Sequence, residues 1–83
     1  MVNTTGLSQY AIISALEYVA GRKLWYLPAQ NGCRESWACV GPDGEWVQVF
    51  LAPEGFDESL FDRAFGCGAA QRAIDRAKGG AAT

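Results

Sequence analysis

The chain of 83 residues contains no histidine. Without an imidazole, the Ser-His-Asp and Cys-His arrangements of nucleophilic catalysis are excluded in their usual forms. The three cysteines, Cys33, Cys39 and Cys67, lack the paired spacing of a zinc site, and no imidazole can complete such a set. Neither glycine cluster, GPDG or GCG, leads into the lysine of a phosphate-binding loop. The sequence therefore predicts no enzyme, no metal site and no cofactor.

Long apolar runs are also missing. No run approaches the roughly 20 residues that a membrane-spanning helix needs, and the first residues lack the basic side chains of a signal peptide. An odd number of cysteines in such a chain is not the pattern of a secreted disulfide framework. We therefore expect a cytosolic protein that does not contact a membrane and whose thiols are free, with a Cys39–Cys67 bridge left open as an alternative.

What the chain does contain is typical of a globular protein. Hydrophobic residues make up 49% of the sequence and charged residues 19%, so apolar burial can offset the loss of chain entropy. A chain of this length has room for one core. We predict a single domain over residues 1–83, in which residues 79–83 form a frayed tail.

The first helical pattern runs from Thr4 to about Gly21, with Thr4 or Thr5 as the N-cap. At about 100° per residue its apolar side chains fall on one side of the helix. This side is predicted to be buried and carries Ile12, Ala15, Leu16, Val19 and Ala20. The opposite side carries Tyr10 and Tyr18, which we expect to face outward.

Three short strands are predicted next. The first lies in KLWYLPA, and ESWACV and EWVQVFL then form a hairpin around the turn Gly41-Pro42-Asp43-Gly44. If Val40 pairs with Glu45, one surface of the hairpin is aliphatic and the other aromatic. The predicted aliphatic surface carries Ala38, Val40, Val47, Val49 and Leu51, and the aromatic one Trp37, Cys39, Trp46, Gln48 and Phe50. Both surfaces are too apolar to face water entirely, so we expect an open patch that binds a partner or a second copy.

The C-terminal third is predicted to be helical again. Asp57 is the expected N-cap, and the buried stripe carries Leu60, Phe61, Ala64 and Phe65. A second stripe of Ala70, Ala73, Ile74 and Ala77 is rotated from the first, which predicts a break near Gly66–Gly68. The predicted fold class is α+β, a small three-stranded antiparallel sheet with an N-terminal helix and a broken C-terminal helix.

Negative charge is concentrated in one segment, because residues 35–62 contain seven carboxylates and no Lys or Arg. The helix dipole favours acids in a first turn, but it does not explain acids in the hairpin turn or after the last strand. We predict that six carboxylates converge on one edge and bind a basic protein surface, with Trp37 or Trp46 as the apolar anchor. The six are Asp43, Glu45, Glu54, Asp57, Glu58 and Asp62. Solubility is the competing explanation, and direct nucleic-acid binding is disfavoured because the whole chain is acidic.

In size, acidity and lack of catalytic residues the chain resembles the small, acidic, non-enzymatic proteins of phages and mobile elements, among them the anti-CRISPR inhibitors. The resemblance is one of type and rests on no shared motif. It implies a monomer or homodimer in the bacterial cytosol that occludes a nucleic-acid-binding surface of a host complex. Two other functions stay open: an adaptor or antitoxin-like module that binds through Tyr10 and Tyr18, and a thiol-dependent enzyme that uses Cys67.

Overall fold

A computed structural model describes residues 1–79, and these form an α+β fold as predicted. In chain order the elements are β1 (Val2–Asn3), α1 (Gln9–Ala20), β2 (Trp25–Leu27), β3 (Ser36–Val40), β4 (Trp46–Val49), β5 (Gly55–Phe56), α2 (Ser59–Phe65) and α3 (Ala69–Gly79). The central sheet is antiparallel with strand order β2-β3-β4. Of the predicted frayed tail, Gly79 ends α3 and residues 80–83 lie outside the described part.

Helix α1 begins later than its pattern predicts. Its N-cap is Ser8, whose hydroxyl accepts a hydrogen bond from the backbone N–H of Ala11 at 3.1 Å. Thr4 is not a cap, because its N–H donates to the Glu54 carbonyl and its own carbonyl accepts from Leu7. The C-terminal end is as predicted, with Gly21 in the left-handed conformation that glycine tolerates.

The hairpin forms around the predicted turn, but its register differs by one residue. Val40 pairs with Trp46 rather than with Glu45. The turn takes up Glu45, whose carbonyl accepts from the Gly41 N–H and whose N–H donates to the Asp43 carboxylate. Because side chains alternate along a strand, this shift joins Trp37 and Cys39 to Val47 and Val49 on the buried face. Ala38 and Val40 join Trp46 and Gln48 on the other face.

The structure also contains a two-stranded sheet that the sequence analysis did not predict. In it β1 pairs with β5, Val2 opposite Phe56 and Asn3 opposite Gly55, and both apolar side chains are buried. The backbones approach so closely that a Cβ on Gly55 would collide with the Val2 carbonyl. Glycine at this position therefore allows the N-terminal segment to close the end of the core.

The predicted helix break is confirmed, since α2 ends at Phe65 and α3 begins at Ala69. Helix α1 packs on α3, and α2 packs on β4. One core cluster unites the buried faces of the helices with the inner face of the sheet, including Leu16, Ile74, Phe61 and Val49. The helices therefore cover one face of the central sheet and leave the other open.

Candidate functional site

The hairpin turn brings two of the predicted acidic residues together. Asp43 and Glu45 line a hollow of about 420 Å³ with Trp46, Leu60 and Arg63, and Val47 and Ala64 complete its wall. The turn is held against α2, because Gly41 is buried and a Cβ on it would lie 3.2 Å from the Cβ of Ala64. We call this feature the acidic hollow.

The two candidate tryptophan anchors lie in different environments. Trp46 is 63% exposed at the border of the acidic hollow. Trp37 is only 7% exposed, and its ring packs against Tyr26 with 5.2 Å between centroids. The register of the hairpin turns Trp37 into the core, so Trp46 is the anchor that is accessible to a partner.

Glu54, Asp57 and Glu58 lie outside the acidic hollow. Glu54 follows the end of β4 that lies away from the hairpin turn, where its carbonyl accepts from Thr4. The Asp57 carboxylate accepts from the hydroxyl and the N–H of Ser59, at 2.6 and 2.9 Å. These two hydrogen bonds hold the pKa of Asp57 below its ordinary value, and the bond from the Ser59 hydroxyl has the larger effect. Glu58, and not Asp57, is the N-cap residue of α2, and its carboxylate lies 3.3 Å from the Met1 amine.

Asp62 has a structural role that the sequence pattern did not reveal. It belongs to α2, but its carboxylate accepts hydrogen bonds from the backbone N–H groups of Gly68 and Ala70, at 3.1 and 3.0 Å. These amides belong to the start of α3, where unpaired N–H groups and the helix dipole favour a negative charge. Asp62 thus joins the two helical pieces across the glycine break.

The basic residues form few ion pairs, and none of them pairs directly with the carboxylates of the acidic hollow in residues 1–79. Within residues 1–79 the ion pair of Met1 with Glu58 is the only one closer than 4 Å. Four cations lie over aromatic rings instead: Arg22 over Phe65, Lys23 over Trp25, Arg34 over Phe50 and Arg76 over Tyr18, at 5.5, 5.5, 5.6 and 3.8 Å from the ring centroids. Arg63 lines the acidic hollow as well but lies farther than 4 Å from both carboxylates, so the hollow carries two negative charges and one positive charge. Asp43 and Glu45 are both exposed to solvent.

The open face of the central sheet is the second candidate surface. By register its strand positions carry Trp25 and Leu27 of β2, Ser36, Ala38 and Val40 of β3, and Trp46 and Gln48 of β4. We call these seven residues the outer face. The sequence analysis did not identify Trp25 or Leu27 as surface candidates. The signal that could have identified them is the segment KLWYLPA, in which apolar residues are not interrupted by polar ones, so that both faces of the strand carry apolar side chains.

The alternative sites have their own surroundings. Tyr10 and Tyr18 are 82% and 66% exposed, as predicted for the outward side of α1, but the ring of Tyr18 is covered on one side by Arg76. Cys67 is exposed, and its carbonyl accepts from Arg72. It is a free thiol, as is Cys39, so the Cys39–Cys67 bridge does not form.

No group of His, Cys, Asp and Glu side chains in residues 1–79 has an arrangement that could hold a metal ion. Among the helices of this same range, none has the length and apolarity needed to cross a membrane. Comparisons with protein-family models, with curated proteins and with solved structures find no match to this chain.

Proposed function

We propose that this protein is a non-enzymatic inhibitor that binds a basic protein surface through the acidic hollow and thereby blocks nucleic acid from that surface. The observation that supports the proposal is that Asp43, Glu45 and the 63% exposed Trp46 line one hollow, in which Arg63 stays farther than 4 Å from both carboxylates. A host complex that handles nucleic acid in the bacterial cytosol is the partner class that the charge fits.

The mechanism combines charge with an apolar anchor. Two carboxylates on a tight turn present negative charge at a spacing set by the backbone, and a basic groove that binds phosphates attracts such charge. Charge accelerates the encounter, while an aromatic side chain that becomes desolvated contributes most of the affinity. Trp46 and the neighbouring Leu60, 63% and 45% exposed, are placed to supply that apolar contact.

The turn is preorganised for this role. Its backbone is closed by hydrogen bonds from Gly41 to Glu45 at 2.7 Å and from Gly44 to Gly41 at 3.0 Å. The Asp43 carboxylate accepts from the Glu45 N–H at 3.0 Å, which holds one carboxylate in place and leaves the other free. A rigid turn loses little conformational entropy when it binds, so more of the contact energy appears as affinity.

The test is capture from a bacterial lysate by the immobilised protein at about 0.1 M and about 1 M salt, where the Debye length falls from about 10 to about 3 Å. We expect basic nucleic-acid-binding proteins to be retained at the lower salt, to be lost at the higher salt and to be released by excess duplex DNA. The double variant Asp43→Lys with Glu45→Lys should lose this capture. A control with the same net charge, Glu54→Lys with Asp75→Lys, should keep it, because both residues lie away from the acidic hollow.

The proposal is wrong if nothing basic is retained at low salt, or if both double variants lose capture equally, since net charge and not the acidic hollow would then be responsible. Capture that survives excess DNA would exclude the blocking mechanism, because the partner's nucleic-acid surface would still be free.

A further inference from the structure

The outer face has an unusual composition for a sheet surface in contact with water. None of its seven residues is charged, although the solvent-exposed face of an antiparallel sheet ordinarily carries polar side chains. A cation does lie over one of them, because the Lys23 ammonium is 5.5 Å from the centroid of the Trp25 ring on the edge strand β2. Trp25, Leu27, Val40 and Trp46 are each at least 41% exposed there. Ala38, which lies between Trp25 and Gln48 in the register of the sheet, is completely buried. A depression of about 380 Å³ is lined by Leu27, Ala38, Trp46 and Gln48.

The exposed apolar area of this face can be compared with what a stable contact needs. An aromatic side chain carries up to about 250 Å², so Trp25 and Trp46 expose roughly 150 Å² each. Leu27 and Val40 together add roughly 150 Å², which brings the patch to about 450 Å², within the size range of functional patches on monomers. Two such faces in contact would bury about 900 Å², which is below the roughly 1,200 Å² of stable specific interfaces and in the range of weak, transient ones.

The absence of charged residues at the strand positions favours a second copy of the chain as the occupant. In a twofold contact the same patch is present on both sides, so any charge near the axis would face its own copy. A face built for a different protein would use charges to select that partner and to fix its orientation. The acidic residues Asp43 and Glu45 lie beyond the last pair of the outer face, Val40 with Trp46, and so stay at its rim.

We infer that the protein forms a homodimer in which the outer faces of two copies pack against each other. The dimer and the proposed inhibitory function share Trp46, but each also uses residues that the other does not: Leu27 belongs only to the outer face, and Asp43 and Glu45 belong only to the acidic hollow. Trp46 lines both the depression of the outer face and the acidic hollow. An interface of this size forms weakly and reversibly, so the relevant concentrations are about 10 µM to 1 mM.

Sedimentation equilibrium over this concentration range tests the inference. We expect the wild-type protein to dimerise and Leu27→Arg to weaken the dimer at least tenfold, because the guanidinium of each copy would be buried without a partner. Tyr10→Arg is the control: Tyr10 is 82% exposed and lies on α1, which belongs to the helical layer on the opposite side of the sheet from the outer face. This control should change the dissociation constant less than twofold.

Tryptophan fluorescence supplies a second measurement that depends on the face itself. Trp25 and Trp46 are exposed while Trp37 is buried, so dimerisation should shift the emission to shorter wavelength as concentration rises. This shift should disappear in Leu27→Arg, whose far-ultraviolet circular dichroism should match the wild type. A wild-type chain that stays monomeric to about 1 mM overturns the inference, as does equal weakening of the dimer by Leu27→Arg and Tyr10→Arg.

The dimer and the inhibitory function can fail separately. Leu27→Arg should retain the salt-dependent capture of basic proteins, and the Asp43→Lys, Glu45→Lys variant should still dimerise. If the lysine variant lost the dimer, the outer face would not be the interface that we infer.

Discussion

Replacing Asp62 with Ala should destabilise the fold, because this carboxylate connects α2 to the start of α3. Both of its oxygens are used, by the N–H groups of Gly68 and Ala70 at 3.1 and 3.0 Å. Losing a helix cap costs about 0.5–2 kcal/mol, and hydrogen bonds to a charged group contribute about 1.5–3 kcal/mol each when they are well buried. Asp62 is only partly buried, so we expect a loss of about 2 kcal/mol.

That loss is a large part of the total, which is about 4–12 kcal/mol for a domain of this length. It should lower the melting temperature by about 8–16 °C in thermal unfolding followed by circular dichroism. Urea unfolding should show the same loss as a lower free energy of unfolding. Asp62→Asn keeps one acceptor oxygen and should lose about half as much. Glu54→Gln, a change at an exposed residue, should stay within about 0.5 kcal/mol of the wild type. If Asp62→Ala unfolded like this control, α3 would not depend on the carboxylate.

Two further predictions concern other parts of the chain. Gly55→Ala should destabilise the protein by about 1–3 kcal/mol, because the added Cβ forces β5 away from β1. The control Gly79→Ala, whose added Cβ meets no neighbour, should cause no loss of stability. Equal stability of the two variants in urea unfolding would contradict the close approach of β5 to β1. The hydrogen bonds from Ser59 lower the pKa of Asp57 below 3.8, so the ionised carboxylate contributes stability above pH 3.8 that is lost as the pH falls through the lowered pKa. In Ser59→Ala the pKa of Asp57 should therefore rise toward 3.8 in an NMR titration, and an unchanged pKa would show that the hydroxyl is not the cause.

Local patterns predicted the elements of the fold where the signal lies within a few residues. The turn at Gly41–Gly44, the apolar stripe of α1, the cap at Gly21 and the break at Gly66–Gly68 are all confirmed. Each depends on backbone geometry or helical periodicity that neighbouring residues specify by themselves. A local signal can also mislead: Thr4 and Thr5 are residue types that commonly cap helices, and they predicted the wrong start for α1, whose N-cap is Ser8.

The pairing of β1 with β5 was not predictable from such signals. Each strand has two residues, and more than 50 positions separate Val2 from Phe56 in the chain. A contact of this kind has no local periodicity, and the close approach at Gly55 appears only once the core has brought both segments together.

The hairpin shows how a single residue changes a functional conclusion. Counting Glu45 as a strand residue predicted one aromatic surface shared by Trp37 and Trp46. The hydrogen bonds of the turn remove Glu45 from the strand, and the alternation of side chains then places Trp37 inside and Trp46 outside. The site that remains at the surface is smaller than predicted and consists of Asp43, Glu45 and Trp46.

The sequence by itself therefore determined the helices and the three strands of the central sheet, the purely negative charge of residues 35–62 and the exclusion of the usual histidine-dependent chemistries. Tertiary structure decided which sheet face the helices cover, which carboxylates meet and which of them, like Asp62, are used within the fold. The physical reason is that periodicity and turn chemistry act over a few residues, whereas the position of one element against another depends on packing between distant parts of the chain.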